Sequence, residues 1–147
     1  MAMNLMKNYS PLLLIIIILF SFPLFGGTFS VSTEDNIISK LRPGQKVTAG
    51  FLSIVASEDV KIINIEAKRI GSIEVHSMIM DGEIMKMRRI TPKLLKNKKF
   101  TFKPGGKHLM LFDIKRDLKI GDDINLLFTF QLKNKKLLSK SIQFKVK

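Results

Sequence analysis

At 147 residues, with a formal net charge of +13 and no cysteine, the chain has room for one domain beyond its N-terminus and can form neither a disulfide nor a thiolate metal site. Its charge is mostly lysine, 20 of 25 bases, spread through segments such as Lys96-Asn-Lys-Lys99 and Lys133-Asn-Lys-Lys136. No arginine–aromatic interleaving and no nucleic-acid motif accompanies it, so nucleic acid is not the expected partner; a plain compositional bias toward lysine, isoleucine and asparagine is the preferred account of the charge, with steering toward an acidic partner as the alternative.

Lys7 is the only charged residue before Glu34, and an apolar run from Leu12 to Phe25 is interrupted by Ser21 and Pro23 and closed by Gly26-Gly27. One base, a short apolar run and then small residues predict a secretory signal peptide over residues 1–30, cleaved after Ser30. The competing reading is an uncleaved anchor, which would hold the protein at a membrane. A spanning helix wants about 20 apolar residues, more than this proline-containing run supplies, so cleavage is preferred. No cysteine follows to carry a lipid. The domain over residues 31–147 is therefore expected outside the cytoplasm, in a periplasm. Without Lys7 it holds 24 bases against 12 acids, a balance near +12.

From Val47 onward apolar residues alternate with polar ones and turn signals recur, the pattern of an all-β sandwich or barrel. Predicted strands are Val47–Val55, Val60–Ala67, Gly71–Met80, Glu83–Ile90, Phe100–Lys103, Lys107–Ile114, Asp123–Gln131 and Leu138–Val146. Turns fall at Arg42-Pro-Gly44, Asp81-Gly82, Lys103-Pro-Gly-Gly106 and Gly121-Asp-Asp123, where proline fixes φ or glycine supplies positive φ. The last strand puts Ile142, Phe144 and Val146 on one face and Ser141, Gln143 and Lys145 on the other, as a half-buried strand should.

Both histidines, and every methionine after the first six residues, lie in two segments, His76-Ser-Met78-Ile-Met80-Asp-Gly-Glu-Ile-Met85-Lys-Met87 and His108-Leu-Met110. Imidazole and thioether suit monovalent copper. Zinc would want cysteine or carboxylate with the histidines, and a blue-copper centre needs a cysteine thiolate. Taken singly, a strand methionine is more often core filler than ligand, but packing gives no reason for each histidine to stand two residues from a methionine. An Asp81-Gly82 type I′ turn would pair Met80 with Glu83, Met78 with Met85 and His76 with Met87. Alternation places Glu74, His76, Met78 and Met80 on one face and Ile73, Val75 and Ile79 on the other. Neither histidine has a serine or cysteine at nucleophile spacing, so no enzyme is expected.

His76, ten residues, Met87, and then His108-x-Met110 resembles the motif of the PCuAC family of periplasmic copper chaperones. Val75 to Arg88, Phe102-Lys-Pro-Gly-Gly-Lys-His-Leu-Met110 and Leu118-Lys-Ile-Gly-Asp122 carry the likeness. The resemblance implies a cupredoxin-like, Greek-key antiparallel β-sandwich that binds one Cu(I) through His76, Met87, His108 and Met110. It implies delivery to the copper centre of cytochrome c oxidase subunit II, alongside Sco-type proteins. Met78, Met80 and Met85 are auxiliary candidates that could shield the ion or act during transfer. The alternatives are a periplasmic copper-buffering or resistance protein with the same site, and a metal-free interaction domain. Three departures from the family stand out. The Met87–His108 gap is one residue short, no tryptophan stands near the domain start, leaving Asn36–Pro43 without an assigned element, and no His/Met-rich tail follows Lys147.

Overall fold

The computed structural model describes residues 27–147. The apolar run expected as leader or anchor lies outside them up to residue 26. The strands are β1 (Val31–Ile38), β2 (Thr48–Ala56), β3 (Val60–Glu66), β4 (Ile70–Asp81), β5 (Ile84–Arg89), β6 (Lys93–Leu94), β7 (Phe100–Phe102), β8 (His108–Ile114), β9 (Asp123–Leu132) and β10 (Leu137–Val146). The described residues are thus all-β, as their alternation predicts.

One path of hydrogen-bonded strands runs β5-β4-β8-β2-β1-β10-β9-β3-β6, with β7 also on β2. Every pair is antiparallel except β1 with β10. Buried side chains of both arms, including Leu52, Ile54, Leu109 and Leu111 on one and Ile62, Phe128, Phe130 and Phe144 on the other, form a single cluster. The sheet therefore folds over on itself as a two-layered sandwich around one core.

β1 is the bend. It pairs with β2 antiparallel and with β10 parallel, and its register against β2 slips between Glu34 and Ile37, where Asp35 takes φ +54°. An inserted residue in an extended strand is a bulge, which sharpens twist and lets one strand serve both layers. The polar run Glu34-Asp35-Asn36 at that bulge breaks the alternation, which is why periodicity alone does not reveal β1. The two-residue β6 is likewise too short to show a period.

Two details fix the edges of this frame. Phe29 is buried against Phe130, ring centroids 5.5 Å apart, and Ser30 exchanges hydrogen bonds with Ser57. Cleavage after Ser30 would remove that ring from the core. At the far end of β4, a Cβ on Gly71 would lie 2.7 Å from Asp113 Cβ and 2.8 Å from its Oδ2. Asp113 sits at φ +51° and has little freedom to retreat. Gly71→Ala is expected to destabilise the domain by about 1–3 kcal/mol, read as a lower urea midpoint; an unchanged midpoint would show that β8 yields there at no cost.

Candidate metal centre

The β4–β5 turn closes differently from the expected one. Asp81 pairs with Ile84, leaving Gly82-Glu83 as the loop, and of these only Gly82 has positive φ, +66°. Glycine at the first central position alone is the type II′ arrangement, whereas type I′ around Asp81-Gly82 would force Asp81 into positive φ as well. The register moves by two as a result. Met80 faces Met85, Met78 faces Met87, and His76 faces Arg89. The expected direct pairing of His76 with Met87 is therefore corrected to a diagonal one. A shift of two preserves face, so the methionines stay on the side of the ribbon assigned to them.

The closer partner of His76 comes from the other side. β4 pairs with β8 so that His76 stands opposite His108, Glu74 opposite Met110 and Val75 opposite Leu109. Ile73, Val75, Leu109 and Leu111 are core residues, and alternation turns His76, His108, Glu74 and Met110 to the outer face. The imidazole centroids are 6.1 Å apart with the rings tilted by 57°. Phe112 lies on the same face, its ring 5.9 Å from His76. On this lattice His76 is central, with His108 beside it and Met87 and Met110 on opposite diagonals, about 7–8 Å away and within reach of long side chains.

Each ring has one nitrogen committed and one free. His108 is only 7% exposed, and its Nδ1 lies 2.9 Å from the Gly106 carbonyl. A carbonyl only accepts, so Nδ1 carries the proton and Nε2 keeps its lone pair. The Lys103-Pro-Gly-Gly106 turn, closed by Gly106 N donating to Lys103 O (3.1 Å), is what brings that carbonyl under the ring. His76 Nε2 lies 2.8 Å from Glu74 Oε2, and Arg89 donates to Glu74 Oε1 at 3.2 Å. With its proton on Nε2, His76 presents Nδ1 as the acceptor, and that atom is buried without a partner. An orphaned buried polar atom costs about 1–3 kcal/mol unless something binds it. Carboxylate-held imidazoles with the opposite nitrogen free are the usual form of a metal-binding histidine.

Among the described residues no three His, Cys, Asp or Glu side chains cluster as a metal cage. The donors that share this face are imidazole and thioether, a soft set whose chemistry suits monovalent copper. Met80 and Met85 stand farther along the ribbon from the histidines, and Met78 lies between. Arg89 is the participant that sequence reasoning missed, because the register that places it opposite His76 depends on which residues close the turn. Glu74 was legible as a member of the face, though not as the group that orients His76.

Glu74 therefore acts through His76. For a centre that takes Cu(I), Glu74→Ala is expected to weaken its binding by about 10–100-fold, and Glu74→Gln, which keeps an acceptor, to recover most of it. The ¹⁵N shifts of His76 should report loss of the Nε2–H tautomer only in the alanine variant. Equal affinities in both variants and the native chain would remove Glu74 from the centre.

A family model described as "Putative lipoprotein LpqE-like" matches residues 31–139. Uncharacterized protein RP573 of Rickettsia prowazekii (strain Madrid E) is 35% identical over 85 residues, which are 56% of this chain and 47% of that protein. The chain thus spans about half the length of this curated relative. Among solved structures, the apo PCuAC domain from PmoF1 matches with a TM-score of 0.61 at 18% identity, covering 80% of this chain and 92% of that domain. The solution structure of CuI-DR1885 from Deinococcus radiodurans matches at 0.59 and 18%, covering 80% and 76%. At such identities the likeness establishes a shared fold, and the PCuAC fold that the resemblance implied is the one found.

Proposed function

The chain belongs to the LpqE-like family, and from the paired histidines we propose that it is an exported copper(I) chaperone, with His76, Met87, His108 and Met110 holding one ion. The observation that carries this reading is the pairing of His76 with His108, each with one ring nitrogen fixed by a hydrogen bond and the other free, between methionines on both diagonals. Copper is cargo here. The fold's occurrence in a Cu(I)-loaded protein of Deinococcus radiodurans supports the choice of ion.

The unequal exposure of the four donors suits delivery. His108 is buried, while Met87 is 47% exposed at the sheet edge. A neutral thioether on an open strand is readily displaced by an incoming ligand, so an acceptor would exchange first against Met87 while the histidines hold the ion. No electron is moved, because Cu(I) passes from one soft ligand set to another. The acceptors we propose are extracytoplasmic, a Sco-type protein and subunit II of cytochrome c oxidase, approached with help from the basic surface. The apolar N-terminal run would provide export to the periplasm.

The test is Cu(I) titration of the purified chain under reducing conditions against a chromophoric chelator. One tightly held equivalent is expected, and no uptake would overturn the reading. Deleting the gene then separates delivery from buffering. Lost oxidase activity at low copper is the expected result; normal oxidase activity with lowered survival at high copper would replace delivery by buffering.

A further inference from the structure

The β4–β5 ribbon overhangs the rest of the sheet. β8 begins at His108, opposite His76, so β4 beyond His76 has only β5 beside it, and β5 is the sheet edge. On the face shared with His76 this overhang carries Met78 opposite Met87 and Met80 opposite Met85; the other face carries Ile79, Asp81, Ile84 and Lys86. Met80 and Met85 are 61% and 58% exposed. Core filling, the ordinary reason for methionine in a strand, does not apply where there is no core to fill.

We propose that this overhang is a second site for monovalent copper, an all-thioether one formed by Met78, Met80 and Met85, with Met87 standing between it and the histidine pair. Cross-strand neighbours have Cβ atoms about 4.5–5.5 Å apart, and same-face neighbours along a strand are about 6.6 Å apart. The methionines therefore stand at the corners of a rectangle whose centre each flexible side chain can reach with its sulfur. Thioether sulfur is a soft, neutral donor that selects Cu(I) over harder cations. Lys86, the nearest ammonium along the ribbon, points to the opposite face and is held by Asp81 at 2.6 Å, so its charge is offset beside the site. The tip takes up the ion more weakly than the imidazoles do, and Met87, opposite Met78 and diagonal to His76, gives the ion a thioether step between the two sites.

This inference rests on copper(I) being the cargo, and one experiment keeps the two readings apart. The full-length chain, labelled with ¹³C at its methionine methyls and assigned by single Met→Leu changes, is titrated with Cu(I) under reductant. The expected first equivalent shifts the Met87 and Met110 methyls, and a second, weaker one shifts Met78, Met80 and Met85. Met80→Leu with Met85→Leu, nearly isosteric and exposed, should lose the second equivalent and retain the first at unchanged affinity. His76→Ala with His108→Ala should retain the weak one. Saturation at one equivalent with the Met80 and Met85 methyls unmoved overturns the second site alone. A second equivalent that survives the leucine pair also overturns it, and uptake of no copper overturns it together with the chaperone reading.

Discussion

His108→Ala is expected to lower Cu(I) affinity more than any other single substitution, by over about 100-fold. Groups that merely hold a ligand in place are worth about 10–100-fold, and in the proposed centre His108 supplies a donor atom itself. Its nitrogen needs no ordering on binding, because the ring is buried and tied to the Gly106 carbonyl. Met87 must be drawn in from an exposed edge, so Met87→Leu should cost less. The change should also lower stability, since it empties the place of a ring only 7% exposed and removes a hydrogen bond worth about 1 kcal/mol, so affinity is compared on the folded variant. Competition with a Cu(I) chelator measures the affinity. A second readout is thermal: copper at about 100 times its dissociation constant should stabilise the native chain by about 2.7 kcal/mol and the variant hardly at all. An affinity within tenfold of native would remove His108 from the ligand set.

The face of the ribbon was legible before its partners were. Alternation alone puts His76 and the methionines on one side and Ile73 and Val75 on the other, because side-chain period in a strand is fixed by the pleat. Register depends on a single choice, where positive φ falls in the turn, and Asp81-Gly82-Glu83 can close in two ways. The structure closes it with positive φ on Gly82 alone, which brings Met87 opposite Met78 and brings Arg89, through His76 and Glu74, into the centre. The pairing of His76 with His108 joins residues far apart in the chain and leaves no local signature. β1 was hidden for a related reason, since its one bulge at Asp35 interrupts the periodicity by which strands are found.

Phe128→Ala should have the largest effect on stability, a loss of about 3–5 kcal/mol. β9 pairs along its length with both β3 and β10, and Phe128 is fully buried, its ring 6.1 Å from that of Phe130 and 6.3 Å from that of Phe144 with the latter planes 1° apart. Few neighbours in such a stack can collapse into the space a phenyl ring leaves. A domain of this kind has about 5–15 kcal/mol in all, and without cysteine no disulfide limits its unfolded chain. With a urea slope of about 1–3 kcal/mol per M, the midpoint should fall by at least about 1 M, whereas Phe128→Leu should move it much less. A loss under about 1 kcal/mol for alanine would mean that β9 does not anchor the core. The substitution lies in the opposite layer from the histidines, so the folded variant should bind Cu(I) as the native chain does. Because only the folded state holds the paired imidazoles, saturating copper should restore part of the lost stability, and it should do so for Phe128→Ala but not when His108→Ala is added.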